Sequence, residues 1–128
     1  MSEENRIGSI VIDAAIGVHR ELGPGLLESV YEIVLLHELR RRDLQAQRQV
    51  PVAIEYQGMQ FDEGFLADIV VEGKVILELK SIENVHASHK KQLLTYLKLS
   101  RMRLGYLLNF GAETMKQGIT RMVNNLDE

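Results

Sequence analysis

Apolar positions along the chain change period several times, and each change marks a predicted element. Over residues 6–22, Ile7, Ile10, Val11, Ala14, Ala15 and Val18 recur at three- and four-residue steps, which predicts a helix with one buried stripe. Gly23-Pro24-Gly25 ends it, because Pro and Gly both break helical continuity. A second helix is predicted over 26–43, with Val30, Ile33, Val34, Leu35, Leu36 and Leu39 as a wide apolar face. Arg40, Arg41 and Arg42 fall in its last turn, where the helix dipole favours cations. The period then drops to two. Val50, Val52, Ile54 and Tyr56 alternate with other residue types, so 48–56 is a strand. Gln57-Gly58 turns the chain and 59–62 returns as a short strand. Residues 65–71 and 75–82 form two more strands around Glu72-Gly73-Lys74. A helix over 86–100 carries Leu93, Leu94, Tyr96 and Leu97 on its apolar side; 103–110 is another strand, and 118–123 reads as a last strand, with a short helix as the alternative. The predicted order is ααββββαββ. Strands near Val71 and Val75 are apolar on both faces, which calls for cover on both sides. The fold class is therefore α/β (α+β), a mixed sheet flanked by helices.

Bulk properties narrow this only a little. A chain of 128 residues, 45% hydrophobic and 26% charged, suits one domain over 1–128 with a core of its own. With no cysteine, disulfides and thiolate zinc sites are excluded, and a cytoplasmic setting is expected. The start, MSEENR, is polar and acidic, unlike a secretory signal, and apolar runs such as VILEL are far too short to span a membrane. The net charge of −3 gives no general pull toward nucleic acid. Basic residues do cluster locally, at the arginine triplet, at Lys90 and Lys91, and at Lys98, Arg101 and Arg103. Solvated helix faces account for such clusters as well as phosphate contacts do.

Chemistry concentrates in the stretch DIVVEGKVILELKS, where Asp68, Glu78 and Lys80 interrupt two apolar strands. Glu78 and Lys80 share one strand face, because alternate residues do. A two-residue loop at Glu72-Gly73 would place the two carboxylates on opposite faces. A three-residue loop, Glu72-Gly73-Lys74, would set Asp68 directly across from Glu78. Both loops suit a hairpin containing Gly, and the sequence does not choose. Two carboxylates on adjacent central strands repel each other and resist desolvation. That cost makes most sense with a cation between them, and carboxylate oxygens with waters suit Mg²⁺ or Mn²⁺. Lys80 could then orient a water or offset developing negative charge. The plainer reading is a solvent-facing strand in which Lys80 pairs with Glu78 or Asp68.

Four strings occur in order: GPGLLESVY, RQVPVAIEY, GFLADIVVEGKVILELKS and QLLTYLKLSRMRLGYLLNFG. The first holds Gly25, Glu28 and Tyr31 in a G-x-x-E-x-x-Y arrangement. Together they resemble the bacterial and archaeal GxxExxY proteins, over residues 7–124. That family is placed in the PD-(D/E)XK nuclease superfamily. The resemblance implies a restriction-endonuclease-like core and metal-dependent phosphodiester hydrolysis. It implies Asp68 as the first metal-binding acid, Glu78 and Lys80 as the (D/E)-x-K pair, and Glu28 as a helix-borne acid completing a set of three metal ligands. Gln92 and Tyr96 resemble a Q-x-x-x-Y element of some nuclease branches and would contact nucleic acid; four apart on a helix, they share a face. Ala67 stands where the superfamily motif has its proline. Alternatives remain for several of these residues. Glu28 in a first helical turn is stabilised by the dipole whatever its function, and Tyr96 with Gln92 would also suit a packing edge. His19 suits a helix cap as well as a metal ligand, and His86 and His89 receive no ligand role.

The expected function is a divalent-metal nuclease acting on DNA ahead of RNA, with Mg²⁺ or Mn²⁺ as cofactor, no membrane partner, and compatibility with a homodimer. Two rivals stand beside it. One is a nuclease-fold module that binds nucleic acid with catalysis weak or lost. The other is a structural or regulatory interaction protein whose charges pair internally.

Overall fold

The computed structural model describes residues 2–126. In chain order it has α1 (Glu3–Leu22), α2 (Glu28–Arg41), β1 (Ala46–Tyr56), β2 (Met59–Val71), β3 (Val75–Lys80), α3 (Ala87–Ser100), β4 (Leu104–Asn109), the single turn α4 (Met115–Gly118) and β5 (Ile119–Val123). The order is thus ααβββαβαβ, which corrects the predicted ααββββαββ. The two strands expected at 59–62 and 65–71 are one long strand, β2. Asp62-Glu63-Gly64 reads as a turn but forms a bulge. Register passes from Val52 opposite Phe65 to Ile54 opposite Phe61, so β2 has three residues where β1 has Ala53 alone. Gly64 is required there, since a Cβ would overlap the Val52 carbonyl.

The five strands lie in the order β1-β2-β3-β4-β5. Neighbours are antiparallel except β3 and β4, which run parallel and are joined through α3. The apolar pattern of these two central strands explains their burial on both faces. Val75, Leu77 and Leu79, with Leu104, Tyr106 and Leu108, join the core under α1 and α2. Ile76 and Leu107 join Leu93 and Leu97 of α3 in the core on the opposite face. Glu78 and Lys80 belong by parity to the α3 side.

On α2 the predicted apolar face is too wide. Val30 and Ile33 are exposed, while Tyr31, Leu35, Leu36 and Leu39 are buried together with an acid, Glu32. The arginine triplet is largely tied into the fold. Arg40 Nε donates to the Ala46 carbonyl at 3.0 Å, and Arg42 pairs with Asp13 at 2.5 Å. Among the described residues no helix is long and apolar enough to cross a membrane.

Candidate active site

The β2–β3 loop decides the geometry. Val71 pairs with Val75, Val70 with Ile76 and Ile69 with Leu77, so the loop has three residues, 72–74. Glu72 and Gly73 both adopt positive φ, 54° and 65°, which lets so short a loop close. Extending that register sets Asp68 opposite Glu78. Asp68 Oδ2 accepts the Leu79 N–H at 2.8 Å, a backbone donor beyond the last β2–β3 pair. The two acids are therefore neighbours, and one of them is desolvated. Burial pushes the Glu78 carboxyl up to about 9; Asp68 adds to the rise through its charge and by accepting Glu78's proton, against the opposing pull of Lys80. Glu78 Oε1 is buried with no hydrogen-bond partner.

Glu28 arrives from α2 through the Gly-Pro-Gly break. Tyr31 holds that break closed: its hydroxyl donates to the Gly23 carbonyl at 2.5 Å and accepts the Leu26 N–H at 3.1 Å. The Tyr31 ring is fully buried and stacks on Phe110 at 4.5 Å between centroids. Ser81, just past β3, fastens the same segment, its hydroxyl donating to the Leu26 carbonyl at 2.6 Å and its N–H to Glu28 Oε2 at 3.3 Å. Ser81 is placed in turn by Asn109, whose side chain accepts from Ile82 N and Gly111 N and donates to Ile82 O. Gly111 must be glycine, because a Cβ would overlap the Ile82 backbone.

Glu28 and Asp68 both line a cleft of about 840 Å³, with Leu79, Ser81, Glu32 and Gln49. Glu28 also borders a neighbouring cavity of about 500 Å³, shared with Lys80, His86 and His89. Lys80 makes no ion pair among the described residues. On α3, Tyr96 is half-buried and stacks flat on Phe65, 3.8 Å between centroids. Burial and the charges of Glu78 and Asp68 push its phenol up, against the pull of a hydrogen bond with Gln92. Gln92 and Tyr96 thus share a face that lies within reach of the acid pair's field. Burial, Lys80 and His86 lower the His89 pKa, against the pull of Glu28.

Of the predicted ligands, the structure brings Asp68 and Glu78 together and puts Glu28 on the wall of the cleft that Asp68 lines. Among the described residues no three carboxylates or imidazoles converge closely enough to cage an ion as they stand. The donor chemistry nonetheless fits a hard divalent cation: it is all oxygen, with one buried carboxylate oxygen left unpartnered. His19 lies elsewhere. Its Nε2 bonds the Ala112 carbonyl at 2.9 Å, so it neither caps α1 nor lines the cleft.

Four residues in this region stand outside the predicted site. Glu32, one turn past Glu28, is buried, and both its oxygens are taken. Arg48 Nη2 donates to Oε2 at 2.9 Å and Gln49 Nε2 to Oε1 at 2.7 Å. The i to i+4 spacing of Glu28 and Glu32 was the one available signal. Phe65, under Tyr96, belongs to the predicted strand over 65–71 and to no predicted site.

A mixed sheet with paired acids on adjacent strands, and a lysine two residues after the second, defines a restriction-endonuclease-like scaffold. A model of the PD-(D/E)XK nuclease superfamily matches residues 5–122, and the chain belongs to that superfamily. No curated protein matches the chain.

Proposed function

We propose that this protein is a divalent-metal-dependent nuclease that hydrolyses phosphodiester bonds, with DNA ahead of RNA as substrate. The observation that carries this reading is the Asp68–Glu78 pair: two acids side by side on adjacent strands, one of them with a buried oxygen unpartnered. A structural protein gains nothing from that arrangement, whereas a cation relieves it. Asp68 and Glu78 would hold Mg²⁺ or Mn²⁺, with Glu28 as the auxiliary acid from the cleft wall. The ion would supply charge neutralisation at the phosphate and acidify a bound water. Lys80, unpaired among the described residues, offers its ammonium to the attacking water or to charge developing on the phosphoryl oxygens. Gln92 and Tyr96 offer an amide and a ring edge to the nucleic acid. Lys90, Lys91, Lys98, Arg101 and Arg103 are exposed on and just after α3, a cationic rim for phosphates.

One observation favours a second reading, a module that binds nucleic acid without cutting it: Glu28 is engaged with Ser81 and does not converge on the other two acids. Cleavage assays on single-stranded DNA, duplex DNA and RNA, with Mg²⁺, Mn²⁺ or chelator, decide between them. Metal-dependent cutting by the native protein, lost in Asp68→Asn, is expected. Binding without cutting by any metal would establish the module instead.

A further inference from the structure

We infer that Gln49 is a positioning residue of the metal site, its amide oxygen accepting a hydrogen bond from the water shell of the cation held by Asp68. This rests on the metal-site reading above and adds a residue to it.

The first observation is backbone strain. Gln49 has φ 51° inside β1, a left-handed conformation that a strand residue with a side chain rarely adopts. Consecutive strand residues normally point to opposite faces. Here Arg48 and Gln49 both reach the same carboxylate, Glu32, and the positive φ is what turns the second side chain to join the first. The second observation is register. Arg48 pairs with Ile69 and Val50 with Ala67, so the Gln49 backbone lies opposite that of Asp68, while its side chain is turned toward Glu32. Both line the same cleft.

The third is the direction of the amide. The NH₂ of Gln49 donates to Glu32 Oε1 and therefore faces Glu32. Its Oε1 is then turned away from Glu32 and cannot flip without setting oxygen against oxygen. A neutral, oriented oxygen on a residue that lines the same cleft as Asp68 suits an ion that keeps part of its hydration shell. It does not suit a phosphate, which would need a donor at that point. Glu32, saturated by two donors, serves as the anchor. Strain at one residue and a buried acid at another thus hold one oxygen in place.

The test is Mn²⁺ affinity by calorimetry, beside the melting temperature of the metal-free protein. Gln49→Gly removes the amide while suiting the positive φ, so relief of strain offsets the lost hydrogen bond and melting is expected near native. Mn²⁺ affinity is expected to fall about 10-fold or more, as for other partners outside the first coordination sphere. Glu32→Gln, which frees the amide to flip, is expected to weaken Mn²⁺ binding in the same direction. If Gln49→Gly melts early, Gln49→Asn tolerates the same φ but is one methylene shorter, and its Mn²⁺ affinity reads the same difference. Native Mn²⁺ affinity in these variants overturns the inference and leaves the metal site standing. No Mn²⁺ binding by the native protein overturns both.

Discussion

Glu32 and Glu78 are both acids drawn into the interior, and the fold treats them in opposite ways. Glu32, on the α2 side, has a donor on each oxygen. Glu78, on the α3 side of the sheet, has an acid for a neighbour and a buried oxygen with no partner. The first arrangement gives each buried oxygen the hydrogen-bond partner it needs. The second resists charge until something else arrives. Acids of the same type within one small chain therefore stand as an anchor and as the proposed reactive group, and only their surroundings distinguish them.

The largest expected effect follows from removing each in turn. Glu78→Ala is expected to cut metal-dependent cleavage by about 100-fold or more, while chemical unfolding of the metal-free protein shows no loss of stability. A folded variant that still cuts would place the chemistry elsewhere.

Next comes pH. Unfolded, Glu78 titrates near 4.5; folded, near 9. Below the lower value it is neutral in both states. Between the two the folded protein keeps a proton that the unfolded chain has released, so rising pH favours unfolding. The contribution of Glu78 to the stability of the metal-free protein is thus expected to be lost as pH climbs from about 4.5 to about 9, with no further loss from this group above it. Melting curves across that range should flatten in Glu78→Gln, which stays neutral throughout. Equal slopes in the two proteins would remove the contrast with Glu32.

Glu32→Ala acts in the opposite sense to Glu78→Ala. It strands Arg48 and Gln49, and a loss of about 2 kcal/mol is expected in urea unfolding, since hydrogen bonds to charged groups are worth more than neutral ones but Arg48 is partly solvated. The smallest effect is expected from Tyr31→Phe. It keeps the ring on Phe110 and deletes only the hydroxyl that closes the Gly-Pro-Gly break, costing about 1 kcal/mol. Cleavage should fall modestly with it, because Glu28 rides on that segment. Unchanged cleavage at lowered stability would show that Glu28 needs no such support.

The G-x-x-E-x-x-Y spacing gains a physical meaning from this. Tyr31 is one turn from Glu28 because it braces the loop that delivers Glu28, and Gly23 at φ 74° lets the chain leave α1 at the required angle. The candidate acids Asp68, Glu78 and Glu28 were legible as interruptions of apolar pattern and through family resemblance. Glu32 and Gln49 were not. Their bond joins residues 17 positions apart, and nothing in a strand pattern announces a residue at positive φ.

By itself the sequence determined the three long helices, the two-faced central strands and the acids and lysine that break them. Those features depend on period and residue type, which are local. Tertiary structure decided the rest. It chose the three-residue loop that sets Asp68 across from Glu78, because Val71 and Val75 had to bury on the same side. It made one strand of 59–71, because Gly64 could lie against Val52 where any side chain would clash. It left Val30 and Ile33 in solvent and took Glu32 inside, because Arg48 and Gln49 were there to meet it. Register and pairing are energies shared between segments far apart in the chain, and no single stretch carries them.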